Sequence, residues 1–461
     1  MSDEVKELVQ RARAAQKVIE FWSQEQVDEM VASAGWEAYK EDHARECAAL
    51  AVEETKLGRF DHKFAKHQKK TLGTLRDLYG LRTVGVINEN KEKGLIQVAK
   101  PVGVIGALTP VTNASSTITV NGLAMLKCRN AVVFAPHPSA KHTCDLTARY
   151  MRAGLKKVGA PEDLVLNLKE PSIEATQALM KEVDLVVATG GAGMVKAAYS
   201  SGTPAYGVGA GNSVTVIDET ADLEDTARLI FTSKTFDNAT SCSAENSAVI
   251  MSEVYSAMLE KFAKYGGYLC SAEEKVVLKQ CMWPDGVHLN RQIVGQHALK
   301  VAEIAGLTVP ESTTFLMVEG EKVGSEDPFS GEKLSPVMTL WKVDTFEQAI
   351  KMVQDLTAYS GPGHSCGLHT TREDRIYQLG EKARVSRMMV RQAQCLANSG
   401  NYDNGMPFSL TLGCGTWGGN IANENVHWKH FINTTWISVP IPPVVPDENV
   451  IFGSHWEKYG K

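Results

Sequence analysis

The sequence predicts an α/β protein with a parallel, doubly wound sheet, followed by a second α/β unit. Largely apolar runs at 102–108, 131–135, 164–168 and 184–189 have the composition of strands buried on both faces. Helical patterns at 117–127, 142–157 and 173–181 separate them at the spacing of β-α-β units. A second series, with strand-like runs at 248–251, 314–318 and 337–341 and helical patterns at 347–356 and 374–382, lies further along the chain.

In chain order, residues 4–53 read as helices. Val5, Leu8, Val9 and Ala12 share one face, and Ala44, Cys47, Ala48 and Ala51 another. Residues 83–98 alternate around a polar turn at 88–94, which predicts a hairpin arm. Ligands of a doubly wound sheet sit at the carboxyl ends of its strands. There the chain reads Thr109-Pro110, His137-Pro138 and Thr189-Gly190-Gly191. The last is a glycine turn opening a helix, which offers bare N–H groups to a phosphate; a plain tight turn reads the same way. The alternating glycines of Tyr206-Gly207-Val208-Gly209-Ala210-Gly211 permit close approach of backbone or ligand. Residues 213–217 read as a further strand and 223–234 as an amphipathic helix. The expected division is a first domain at 1–234, a second at 235–425, and a β-rich, then proline-rich arm at 426–461.

Composition excludes several function classes. A chain of 461 residues supports more than one core. A net charge of −6 gives no electrostatic reason to expect nucleic acid or an anionic membrane. Short basic clusters at 63–70 and 427–430 read as solvated faces. No apolar run reaches membrane-spanning length, and the acidic start leads into a helix, so neither membrane nor signal peptide is expected. Nine cysteines without a C-x-x-C pair suit reduced thiols in the cytoplasm, with no metal site.

One of those thiols stands out. Cys242 sits in a polar, small-residue stretch, Asn238-Ala239-Thr240-Ser241-Cys242-Ser243-Ala244-Glu245-Asn246, between a helix and an apolar run. Free cysteines are commonly inert small hydrophobes, but these neighbours do not make an apolar core strip. Asn238, Thr240 and Ser241 favour turns and helix starts, where N–H donors and the helix dipole favour thiolate. A reactive nucleophile is the expectation.

Several motifs then resemble the coenzyme A-acylating branch of the aldehyde dehydrogenase superfamily, from about residue 12 to 440. They are Pro101-Val102-Gly103-Val104-Ile105-Gly106 leading to Thr112-Asn113; Ala135-Pro136-His137-Pro138; Ala188-Thr189-Gly190-Gly191; Thr235-Phe236-Asp237-Asn238; Glu332-Lys333-Leu334-Ser335-Pro336; Gly363-His364-Ser365; and Leu412-Gly413-Cys414-Gly415-Thr416-Trp417. The resemblance implies a Rossmann-type cofactor domain, an α/β catalytic domain and a small β oligomerisation arm, assembled as a homodimer or homotetramer. It implies Cys242 as nucleophile and Asn113 near the reacting carbonyl. Cofactor contacts would come from Thr109, Pro110, His137, Pro138, Ser139, Lys141, Thr189, Gly190, Gly191, Gly209 and Gly211, with Glu332 on the nicotinamide ribose.

The residues bear on the chemistry. An oxyanion formed by attack of Cys242 needs donors, which the Asn113 amide and the Cys242 backbone N–H can supply. Hydrolytic members of the superfamily carry a glutamate in the loop that corresponds to 206–211; here no carboxylate stands there. Water attack on a thioester is then slow, and a thiol, whose pKa is closer to neutrality, is the better acceptor. Coenzyme A fits as co-substrate. His364 could assist that thiol or order the site, or serve as a structural histidine. Glu245 could orient the site or cap the turn. Ser139 and Lys141, with no acid after the second strand, allow a 2′-phosphate, so NADP is favoured over NAD.

The resemblance is greatest to members acting on sulfoacetaldehyde, then succinate semialdehyde, then acetaldehyde or propanal. Arg391, where asparagine is common in the branch, is expected to hold the substrate's anion, or else to turn outward. An inactive scaffold is the alternative of another class; the intact Cys242, Asn113, Glu332 and His364 argue against it.

Overall fold

The computed structural model describes residues 2–461 and contains three sheets. The first is five-stranded and wholly parallel, in the order Val165–Asn167, Ala131–Pro136, Val104–Thr109, Leu185–Thr189, Ala205–Val208. Four of its strands are the predicted apolar runs, whereas Ala205–Val208 overlaps the stretch read as a glycine-rich loop; Val104–Thr109 and Ala131–Pro136 are buried along their whole length. Buried residues of the N-terminal helices, among them Val5, Ala12, Met30 and Ala34, pack into the same core.

The second sheet is seven-stranded and parallel throughout. Its order is Gly267–Leu269, Phe315–Glu319, Val337–Val343, Glu245–Met251, Ser213–Ile217, Cys366–His369, Met388–Val390. Strand Ser213–Ile217 thus pairs with Glu245–Met251 and Cys366–His369, not with the first sheet. The expected division at residue 234 is therefore too late. The chain changes sheets between Val208 and Ser213, because the glycine-rich stretch is the crossing itself. Helix Leu223–Thr235 belongs with the second sheet, where Ala227 and Ile230 join its core.

This crossing positions the site. It runs from the carboxyl end of a strand in the first sheet to the amino end of a strand in the second. The cleft between the sheets is edged by carboxyl ends on one side and amino ends on the other.

The predicted hairpin is Gly85–Asn90 with Leu95–Pro101, antiparallel. Strand Ile432–Ser438 adds to it, residue Thr434 opposite Ala99. The C-terminal segment also forms a helix, Glu448–Tyr459, absent from the sequence reading; its polar and apolar residues follow no clear stripe, and none is buried. No described helix is long and apolar enough to cross a membrane.

Candidate active site

Cys242 lies in a turn that enters strand Glu245–Met251. It follows a 3-10 segment, Phe236–Ala239, rather than starting a helix, so the helix-dipole argument does not apply. Asp237, Asn238 and Ala239 all have positive φ, at 51°, 53° and 58°. Left-handed backbone at a non-glycine residue costs on the order of 1 kcal/mol each. The surrounding structure fixes this strained turn. Lys63 and Lys66 each donate to Asp237 Oδ2, at 2.8 and 2.6 Å, and all three groups are buried. The Arg59 N–H donates to Asp237 Oδ1 at 3.0 Å, and Asn238 Nδ2 to the Gly295 carbonyl at 2.9 Å.

The basic cluster at 63–70 is therefore not a solvated face. Lys63, Lys66 and Lys70 project from one side of helix Phe60–Leu78 into the protein. Lys66 also donates to Asn113 Oδ1 at 2.9 Å. An ammonium has only donors to offer, so this contact fixes which end of the amide is which. Asn113 then presents its NH2 group, the polarity an oxyanion donor requires. Among the described residues, that NH2 group makes a single, long bond, 3.4 Å, to Thr112 Oγ1. Asn113 stands immediately before helix Ala114–Lys127 and lines a narrow cavity together with Ser241.

His364 Nε2 is 3.2 Å from Cys242 Sγ. The imidazole is buried, and its Nδ1 is 2.8 Å from Ser365 Oγ, which lies 2.6 Å from Ser213 Oγ. With Nδ1–H donated to Ser365, the Nε2 lone pair faces the sulfur. Burial, reinforced by the nearby Glu332 charge, pushes the Cys242 thiol up to about 12. Burial and the Arg387 charge hold His364 down to about 3. The resting pair is a neutral thiol against a neutral imidazole, the opposite of the preformed thiolate expected from sequence.

The crossing loop packs directly on the nucleophile. A Cβ on Gly211 would stand 2.3 Å from the Cys242 carbonyl oxygen and 2.9 Å from the His364 ring, so only glycine fits. The Gly211 N–H donates to Glu332 Oε1 at 3.3 Å. Burial pushes this carboxyl up to about 8. Gly363, at φ 79°, sets the turn that carries His364; a Cβ there would meet the Cys414 carbonyl at 1.9 Å.

Next to this loop is a cavity of about 460 Å³, between helix Ala192–Tyr199 and Gly209, Pro362 and Cys414. Gly191 precedes that helix without a side-chain cap, and nothing lies within 4 Å of a Cβ on Gly191 or Gly209. Open backbone at a helix start, a cleft and a carboxyl with one partner fit a dinucleotide. Along the same edge come Pro110, His137, Pro138, Ser139, Thr189 and Gly190. Two of the expected contacts are engaged elsewhere. Thr109 is fully buried, its hydroxyl 3.8 Å from Cys144 Sγ. Lys141 is paired at 2.7 Å with the exposed Glu170.

Arg391 does not join the site. It follows strand Met388–Val390, its N–H donates to the Leu368 carbonyl, and its side chain is exposed and donates to the Thr370 carbonyl at 2.7 Å. That is the carboxyl end of the seven-stranded sheet, whereas Cys242 and His364 lie at the amino ends. The carboxylate Glu245 is buried at the start of its strand, pushed up to about 7 by burial, and accepts from the Gln394 N–H at 3.1 Å. It braces the strand rather than capping a turn.

Sequence reasoning passed over Lys63, Lys66, Arg387 and Ser365. Arg387 is buried and donates to the carbonyls of Gly413 (2.8 Å) and His364 (3.0 Å). The spacing of Lys63, Lys66 and Lys70, three and four residues apart, was a readable signal of one helix face.

The chain is similar to known proteins along its whole length. The aldehyde dehydrogenase family model matches residues 1–269. The chain is 47% identical over 451 residues to a sulfoacetaldehyde dehydrogenase of Acholeplasma sp, covering 97% of this chain and 93% of that one. It is 44% identical over 461 residues to the acylating sulfoacetaldehyde dehydrogenase of Bilophila wadsworthia, with 99% of each chain covered. An acetylating aldehyde dehydrogenase from Geobacillus thermoglucosidasius superposes with a TM-score of 0.93 at 35% identity, covering 97% of this chain and 98% of that one.

Proposed function

The chain belongs to the aldehyde dehydrogenase family, and from that premise we propose that it oxidises sulfoacetaldehyde to the coenzyme A thioester, using NADP or NAD. The observation that carries the reading is the pair at 3.2 Å, Cys242 Sγ and His364 Nε2, beside a loop that holds no carboxylate.

Cys242 Sγ bonds to the aldehyde carbon as its proton passes to His364 Nε2. With the imidazole held low by burial, the proton passes through it rather than resting there. The carbonyl oxygen takes the negative charge and accepts from Asn113 Nδ2, held by Lys66. Glu332 would hold the ribose of a bound nicotinamide cofactor, which would supply the acceptor for the hydride leaving the substrate carbon. A thioester on Cys242 remains. The glycine crossing brings no base for water, so release falls to the coenzyme A thiol. Its proton passes to His364, its sulfur bonds to the acyl carbon, and Cys242 leaves and is reprotonated. The sum is aldehyde, coenzyme A and oxidised cofactor giving acyl-coenzyme A, reduced cofactor and a proton.

Both relatives, at 47% and 44% identity, are sulfoacetaldehyde dehydrogenases, which supports the substrate. Lys141 would have to leave Glu170 to meet a 2′-phosphate, and with it gone the Glu170 carboxylate could meet a ribose hydroxyl, which is compatible with use of either cofactor. The exposed arm, with Trp436, Ile437, Val444 and Val445 turned to solvent, supports assembly as a homodimer or homotetramer. Nine unpaired cysteines support a reducing cytoplasm.

The test is reduced-cofactor formation from sulfoacetaldehyde, succinate semialdehyde and propanal, each with and without coenzyme A, in NADP and in NAD. Coenzyme A-dependent turnover fastest on sulfoacetaldehyde is the expected result. Turnover indifferent to coenzyme A would overturn the reading.

A further inference from the structure

We propose that helix Phe60–Leu78 builds the substrate's anion site, with Lys69 and Lys70 receiving the sulfonate in the narrow cavity beside Asn113 and Ser241. This rests on the reading of Cys242 as nucleophile and of a short anionic aldehyde as substrate.

The cavity is lined by Lys66, Lys69, Lys70, Asn113, Ser241 and Cys395, among others. Asn113 is the proposed oxyanion donor, and Ser241 is the residue before the nucleophile. The cavity therefore opens from the reacting centre. Lys69 and Lys70 follow Lys66 by three and four residues, which puts all three side chains on one helix face, and all three line the cavity.

The charges around it do not balance. Asp237 is the buried carboxylate here, and Lys63 and Lys66 both take it. Lys70 is buried and donates only to carbonyls, of Gly400 at 2.6 Å, Ser399 at 3.1 Å and Leu396 at 3.4 Å. It lies over the Phe408 ring at 5.0 Å. Lys69 stands over the Tyr402 ring at 5.6 Å and, among the described residues, pairs with no carboxylate. Asp403 and Asp77 act on these lysines only through their fields, and Asp77 is itself paired with Arg76 at 2.8 Å. Burial, with the Lys69 charge, holds the Lys70 ammonium down to about 7. A buried cation with no anionic partner is costly. An entering sulfonate supplies that partner.

Reach agrees. A two-carbon aldehyde carries its sulfonate on the carbon next to the carbonyl, so an aldehyde held by Asn113 must place the anion within a few ångströms. The remaining walls are Phe236, Cys395, Leu396, Ser399 and Leu410, and the space they leave is small, about 20 Å³, so the half-exposed Lys69 side chain has to move as the anion enters. Arg391, at the other end of the sheet, is too remote for the task.

The experiment compares kcat/KM for sulfoacetaldehyde and for acetaldehyde, at saturating coenzyme A and cofactor, in the wild type, Lys69→Gln and Lys69→Arg. Lys69 is half-exposed and its ammonium donates no hydrogen bond among the described residues, so its variants should fold. Inhibition by ethanesulfonate, which carries the anion but no aldehyde, is measured alongside. Lys69→Gln is expected to lose about ten- to a hundredfold on sulfoacetaldehyde, mainly through KM, and less than about threefold on acetaldehyde. Ethanesulfonate inhibition should weaken in step, and Lys69→Arg should keep most of the preference. A wild type that prefers sulfoacetaldehyde, with the preference unchanged in Lys69→Gln, overturns the lysine site alone. A wild type with coenzyme A-dependent turnover but no preference for the sulfonate overturns both the site and the substrate reading.

Discussion

The Nε2 atom of His364 faces the sulfur of Cys242 at 3.2 Å, and burial holds both groups neutral, the thiol pushed up to about 12 and the imidazole down to about 3. The thiolate is the reactive form, and the partly exposed thiol rests mainly in the other one. Activation must coincide with substrate, when the proton can leave as the C–S bond forms.

That state sets a pH dependence. A thiol whose pKa lies far above neutrality ionises tenfold more with each pH unit. Alkylation of Cys242 by iodoacetamide, without cofactor, should therefore keep rising across about pH 6 to 10 without a plateau. A plateau near pH 7 would mean a preformed thiolate.

Lys66 acts on the chemistry through Asn113. Lys66→Met frees the amide to rotate and should lower kcat by up to about 10²–10³, the cost of an oxyanion donor. Asn113→Ala should cost a similar factor. The double variant should be little worse than Asn113→Ala, because the lysine then has nothing to orient. Full additivity in that cycle would refute the link.

Asp237 holds the strained turn. Although burial opposes it, Lys66 and Lys63 keep its carboxyl below the usual carboxylate range. The folded state thus binds fewer protons than the unfolded chain at acid pH. This stabilisation is complete above the unfolded carboxylate pKa of about 4 and is lost as pH falls toward the folded value. Asp237→Asn leaves two buried ammonium groups unpaired and should cost about 3–5 kcal/mol at pH 7. The gap between variant and wild type in denaturant melts should narrow as pH drops below about 4.

Arg391→Asn should change kcat/KM by less than about twofold on sulfoacetaldehyde and on acetaldehyde alike, as expected of an exposed side chain away from the site. A loss confined to sulfoacetaldehyde would restore the role first read from its sequence position.

The outcome for Arg391 shows where sequence reading stops. Strand direction within the assembled sheet decides whether a residue meets Cys242, and the bond to the Leu368 carbonyl holds Arg391 at the far edge. The first sheet was readable almost element by element, because strands buried on both faces have a continuous apolar signature. The cofactor edge followed from the carboxyl-end rule. The second half of the site lies at amino ends, where no such rule applies, and only the resemblance identified His364. Lys63 and Lys66 looked like solvent-exposed charges because Asp237, the partner that permits their burial, stands 174 and 171 residues away. The thiol pKa was misread for a related reason: local residues indicate a helix start, whereas the packing of Gly211 and His364 around the sulfur sets the burial.

The claim at the centre of this account is that a thioester forms on Cys242 and waits for a thiol. Rapid mixing of the enzyme with sulfoacetaldehyde and NADP, without coenzyme A, tests it most directly. The account predicts a burst of about one equivalent of NADPH per site, then near arrest, with turnover restored on adding coenzyme A and no burst in Cys242→Ala. Steady release of free acid at the coenzyme A-supported rate, or a burst that survives Cys242→Ala, would contradict it.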